Sequence, residues 1–104
     1  MSDRIKQIES MIEADPSDPF LPYALALERA KHGRHSEALT AFDACLELDP
    51  SYAYAYFHKA RSLVELDRIV DAILTLESGS SEARKIGDAK ATSELDAFLE
   101  ELRG

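Results

Sequence analysis

His32 and His35 stand either side of Gly33, and Cys45 follows a short distance on. Imidazole and thiolate side chains are zinc ligands, but a metal centre needs three or four of them converging on one point. Cys45 falls on an apolar stripe with Ala38, Leu39, Phe42 and Leu46. A free cysteine in such a place serves as a small core residue, so no metal is expected. The carboxylates Glu37, Asp43, Glu47 and Asp71 have the residue type for general acid–base work. Their spacing puts them on solvent-facing helix positions without a pocket, which acid–base catalysis requires. No phosphate loop, zinc-finger spacing or nucleophile elbow is present. The sequence is read as non-enzymatic, with no cofactor.

The elements that carry these residues follow from a repeat. Asp-Pro-Ser occurs at 15–17 and again at 49–51, a shift of 34 residues. The same shift brings Ala26 onto Ala60, Arg34 onto Arg68, Ala38 onto Ala72, Leu39 onto Ile73 and Phe42 onto Leu76. Applied backwards, it brings Ile5, Ile8, Met11 and Ile12 onto Leu39, Phe42, Cys45 and Leu46. A fixed period of this size marks stacked supersecondary units. Within it the apolar residues recur every three or four positions, which is the helical period. Tyr52, Tyr54 and Tyr56 alternate as a strand would, but their surroundings are helical. There Tyr54 shares a face with Phe57, and Tyr56 shares another with Ala60. Gly33 ends one helix, and Ser36 with Glu37 is expected to open the next. Asp67 takes the place of Gly33 in the second copy.

On these residues the sequence resembles the tetratricopeptide repeat family, whose pattern is an aromatic, Leu and Gly, a Tyr, an Ala, a Phe and a closing Pro. Leu25, Ala26, Ala38, Phe42 and Pro50 match it in the first copy. Tyr56, Ala60, Leu63, Ala72 and Leu76 match it in the second. The departures are Pro22, Arg29, Lys59 and Arg84. The resemblance implies an all-α fold, an antiparallel helix-hairpin solenoid of about six helices in a single domain. A half-repeat helix over 1–15 comes first, then full repeats at 19–52 and 53–86, then a capping helix over 88–103. Without the closing Pro, the last repeat helix is expected to run on to Gly87, with Asp88 capping the final one. Small residues at 26, 38, 60 and 72 let paired helices approach closely, and Gly79 matches Cys45 at another tight place.

In the resembled family the first helix of each repeat lines a concave face that binds segments of other proteins. The matching places here are Phe20, Tyr23, Leu27 and Lys31, then Tyr54, Phe57, His58 and Arg61. Two aromatics followed by a base on each helix make an anchor-and-charge arrangement. The competing expectations are that the C-terminal helix covers these rings and makes them core, or that the aromatic surface serves self-association as the interface of a homodimer. Family members that grip acidic chaperone tails use Lys with Asn. This sequence has no Asn, so that subclass is not expected. The net charge of −8 opposes a phosphate backbone, which disfavours nucleic acid as a partner. No apolar run reaches membrane-spanning length and no signal segment is visible. With one cysteine there is no internal disulfide, which fits a cytoplasmic location.

Overall fold

A computed structural model describes residues 3–104 as six helices and no strand. They are α1 (Asp3–Ala14), α2 (Phe20–Lys31), α3 (His35–Leu48), α4 (Ala53–Glu65), α5 (Ile69–Lys85) and α6 (Ala89–Arg103). The first two residues of the expected N-terminal helix lie outside the described residues. Each helix packs on its neighbours in sequence, so the chain folds as a run of antiparallel hairpins. Beyond these neighbours, α2 touches α4 and α4 touches α6, whereas α1, α3 and α5 do not touch one another. The stack therefore curves, with α2, α4 and α6 as its closely spaced inner row.

The 34-residue repeat reappears as equal burial. Ala26 and Ala60, Ala38 and Ala72, and Phe42 and Leu76 are all fully buried. The core has two lobes. Ile5, Ile8, Leu25, Phe42 and Cys45 belong to the first; Leu63, Leu76, Leu95 and Leu99 belong to the second. Gly79 explains how close α4 and α5 come. A Cβ placed on it would lie 2.5 Å from Tyr56 Cβ and 2.7 Å from Tyr56 Cγ, and the Tyr56 hydroxyl is itself fixed by donating to the Pro50 carbonyl at 2.7 Å. Gly79→Ala should therefore destabilise, although alanine is the better helix former by about 1 kcal/mol. Overpacking costs about 1–3 kcal/mol or more, so the variant should melt several degrees below the parent. A higher melting temperature would mean that the two helices can separate freely.

Three helices end in the same way. Gly33 (φ +75°), Asp67 (φ +59°) and Gly87 (φ +73°) adopt left-handed backbone. In each case the next amide reaches back to a carbonyl in the helix, as from Arg34 to Arg29 at 2.9 Å, Arg68 to Leu63 at 2.8 Å and Asp88 to Ala83 at 2.9 Å. These are Schellman closures, and aspartate is among the few non-glycine residues that tolerate that conformation. The expected start at Ser36 is corrected: α3 begins at His35, and Arg34 takes the capping place with no side-chain cap. The residue after the left-handed one already takes the capping place, so the helix starts at His35 and Ser36 falls inside the first turn. Arg34 instead forms a two-pronged pair with Glu37 at 2.6 and 2.8 Å, and Arg68 repeats this with Asp71 at 2.9 Å. Asp88 does cap α6, accepting the Ala91 amide at 3.0 Å.

Met11 is a second correction. Ile5 and Ile8 are buried and Ile12 is half-buried, but Met11 is 52% exposed. Its counterpart Cys45 has α2 of its own hairpin to lie against; α1 packs on α2 alone.

Departures from the family pattern fasten neighbouring helices. Arg29 donates to the Glu37 carbonyl at 3.1 Å and pairs with Glu9 at 3.6 Å. Lys59 pairs with Asp43 at 2.7 Å. Arg84, where a proline would stop the helix, shares Asp96 with Ser80, both at 2.6 Å. That cluster joins the overrun of α5 to α6. Pro22 sits in the first turn of α2, where a missing amide proton costs little.

Candidate protein-binding groove

The inner row carries a string of rings. Phe20 and Tyr23 of α2 have centroids 6.4 Å apart, and Tyr23 lies 6.0 Å from His58 of α4. His58 is 5.4 Å from Phe57, and Phe57 is 5.2 Å from Phe98 of α6. Tilted and edge-on pairs at these distances attract one another and hold each ring in place. Phe20 is 53% exposed, Tyr23, Leu27, Tyr54, Phe57 and His58 are half-buried, and Lys31 and Arg61 are exposed. Tyr23 also leans on Tyr52 at 4.9 Å and Phe42 at 6.4 Å, so its inner edge belongs to the first core lobe.

Two clefts flank α4. One, of about 440 Å³, lies between α2 and α4 and is lined by Leu27, Ala30, Lys31, His35, His58, Arg61, Ser62 and Glu65. The other, of about 350 Å³, lies between α4 and α6 and is lined by Phe57, Arg61, Glu94, Ala97, Phe98 and Glu101. Arg61 is common to both. The groove thus gathers Leu27, Lys31, Phe57, His58 and Arg61 around its clefts, with Tyr23 in the connecting ring string. Phe20 sits at the outer end of that string. Tyr54 points at α6, where its hydroxyl donates to Glu94 Oε1 at 3.3 Å. The C-terminal helix stands beside the rings of α4, touching Phe57 and Tyr54 along one edge while both keep part of their surface exposed.

Phe98, Ala97, Glu94 and Glu101 were not legible as part of this surface. The 34-residue correspondence carries residues only as far as 86, and α5 runs three residues longer than α3. Phe98 reads in sequence as one of the apolar stripe Leu95, Phe98, Leu99 and Leu102. The signal available was its position at the edge of that stripe: Leu95 and Leu99 are buried, Phe98 only half so.

The residues with metal-binding side chains go separate ways. His32 approaches Glu28 at 3.6 Å. His35 Nδ1 meets the Ser62 hydroxyl at 3.1 Å, which joins the start of α3 to α4. The Cys45 side chain is buried in the first lobe, and desolvation pushes its thiol up to about 12. Among the described residues no three His, Cys, Asp or Glu side chains converge on one point. Glu37, Asp43 and Asp71 are held in the surface ion pairs already described, and Glu47 is exposed.

Burial, and next to it the charge of Arg61, holds the His58 imidazole below its ordinary value of 6.5. The folded state therefore favours the neutral ring, and the unfolded chain binds more protons between the lowered value and 6.5. Stability should fall as pH drops through about 6.5 and level off below the folded-state value. Urea melts at about pH 7.5 and about pH 5.5 should show a smaller loss in His58→Gln than in the parent. An equal loss in the two proteins would place the titration elsewhere.

Antiparallel hairpins stacked at a 34-residue period, with an open inner row, define a class of helical repeat proteins. The family model for the tetratricopeptide repeat matches residues 29–92. The chain belongs to the tetratricopeptide repeat family. Superkiller protein 3 of Saccharomyces cerevisiae is 31% identical over 84 residues, which is 79% of this chain and 6% of that protein's length. A tetratricopeptide repeat domain protein of Salinibacter ruber is 42% identical, with a TM-score of 0.78 over 85% of this chain and 89% of its own. The TPR2B domain of yeast Sti1, solved as a complex with pHsp70, superposes with a TM-score of 0.88 at 22% identity. That match covers 95% of this chain and 79% of the domain's. Among the described residues no helix is long and apolar enough to cross a membrane.

Proposed function

We propose that the chain is a non-catalytic module that binds a segment of another protein along α2, α4 and α6. Phe20, Tyr23, Leu27, Lys31, Tyr54, Phe57, His58 and Arg61 would supply the contacts, in a single domain with repeats at 19–52 and 53–86. One observation carries this reading: rings left half-exposed form a continuous string across three helices. Burying such a surface against a partner gains apolar area without ordering the rings further, because their neighbours already hold them. Sti1's complex with pHsp70 shows that a domain of this fold can hold a protein partner. The acidic surface speaks against nucleic acid, and one buried unpaired thiol fits a reducing, cytoplasmic setting.

Phe20→Ala combined with Arg61→Glu removes an exposed ring and reverses an exposed charge. Surface changes of this kind usually shift stability by about 0.5 kcal/mol or less. The double variant should melt like the parent yet lose partner capture in a pull-down. Capture at parental level would remove the groove from the account. The competing reading, self-association through the same rings, predicts a mass in light scattering that doubles with concentration and reverts to monomer in this variant.

A further inference from the structure

We propose that one edge of the stack, where α1 and α3 end and α2 and α4 begin, docks a lysine- or arginine-rich segment of another protein. Phe20 and Leu48 supply its apolar contacts, and carboxylates on and beside the two Asp-Pro-Ser loops hold its bases. The site lies at the helix ends, outside both groove clefts, and shares only Phe20 with the ring string.

The antiparallel hairpins bring these parts together. Residues 15–19 join α1 to α2, and residues 49–52 join α3 to α4. Both loops reach one ring: burial, then Cys45, then the carboxylates of Asp18 and Asp49 push the Tyr52 phenol above its ordinary value. Tyr23 packs on Tyr52 at 4.9 Å and on Phe20 at 6.4 Å, which sets Phe20 beside the same loops. Leu48 directly precedes Asp49 at the end of α3. Phe20, Leu48, Pro16 and Pro50 are all exposed. The apolar surface of this edge has no cover within the chain.

Charge names the occupant. Segments 11–20 and 45–54 contain Glu13, Asp15, Asp18, Glu47 and Asp49 but no Lys, Arg or His. Among the described residues none of these five acids joins an ion pair. Fields fade over about 8 Å in physiological salt, so bases paired elsewhere do little to offset them. Helix polarity adds to the same field. The carbonyl ends of α1 and α3 point at this edge, each equivalent to roughly half a negative charge. Helices α2, α5 and α6 set bases in their last turns, whereas α1 and α3 have none there and carry Glu13 and Glu47 instead. That arrangement is unfavourable in the folded chain alone. Asp15, Asp18 and Asp49 hold their loops by accepting from the Ser17 hydroxyl, the Phe20 amide and the Ser51 amide. Those bonds need an acceptor and not a charge. A cationic segment with large apolar side chains complements both features of the edge.

Fluorescence anisotropy with the full chain tests this, using a labelled peptide of alternating lysine and leucine spaced by glycine. Copies with glutamine for lysine, or glycine for leucine, should each bind more weakly. Glu13→Gln combined with Glu47→Gln should weaken the first peptide about three- to tenfold, as for two solvent-exposed ion pairs. It should also flatten the salt dependence. The same variant should melt at or above the parent's temperature, since it relieves two helix ends. Leu48→Ser should weaken binding at every salt concentration. Asp3→Asn combined with Glu100→Gln removes the same charge at the opposite edge and should leave binding unchanged. Equal weakening by the two charge pairs would mean general attraction to an acidic protein and would overturn the proposal. So would failure of the lysine–leucine peptide to bind. A dimer in light scattering that Glu13→Gln with Glu47→Gln disperses would give the edge to a second copy and overturn the foreign segment. Neither Glu13 nor Glu47 lines a groove cleft, so these results are read apart from the capture test on Arg61→Glu.

Discussion

Ala60→Arg and Ala72→Arg each unfold the chain. Both alanines are fully buried, Ala60 on α4 and Ala72 on α5, and both belong to the second core lobe. At such a contact a methyl group is the side chain that lets the backbones approach. An arginine there must either force the helices apart or bury a guanidinium without a partner. Overpacking and unpaired charge together should cost more than about 3 kcal/mol, at the upper end for single substitutions. A domain of about a hundred residues has roughly 5–15 kcal/mol in all. Far-ultraviolet circular dichroism should show helix loss at ambient temperature or a melt lowered by well over ten degrees. Arginine at Val70, which is 71% exposed on the same helix, should leave the melt nearly unchanged. Parental melts for all three variants would mean that the two alanines are not at helix contacts.

Removing residues 1–14 is the second large perturbation. Ile5 and Ile8, each 3% exposed, close the outer side of α2 as members of the first lobe. Fully buried side chains of this size contribute about 1.5–3 kcal/mol each. The two together make a loss of about 3–6 kcal/mol, before counting the half-buried Ile12. Met11 adds little because it is mostly exposed. The truncated chain should lose its sharp thermal transition, or aggregate through the uncovered surface of Leu25. A soluble product with a cooperative melt near the parent's would show that α2 and α3 need no cover on that side.

The repeat was legible because burial obeys the same spacing as residue type. Ala26, Ala38 and Phe42 could be read through Ala60, Ala72 and Leu76, and each pair is buried alike. Helix endings were legible for a related reason: only a few residues accept positive φ, so Gly33, Asp67 and Gly87 announce themselves. Ser36 misled because a capping residue type does not reveal where the backbone turns helical. The closure at Gly33 settles that one residue earlier. Met11 misled because a periodic stripe says which side of a helix is apolar, not whether a helix lies against every part of it. For the candidate groove, matched places reached α2 and α4 and failed at α6, where the overrun of α5 breaks the register. Whether rings such as Phe57 stand open or covered depends on how α6 leans, a tertiary distance with no local signature. The answer is intermediate, with Phe98 touching one edge of Phe57.

The central claim is that the inner row, and not the outer one, receives a protein segment. Amide shift mapping by NMR, with a peptide selected against the full chain from a random phage-displayed library titrated into labelled chain, tests it most directly. The account predicts perturbations concentrated at Leu27, Lys31, Phe57, His58, Arg61, Ala97 and Phe98, on α2, α4 and α6. Perturbations concentrated on the outer faces of α1, α3 and α5, around Met11, Asp43 and Leu74, would contradict it.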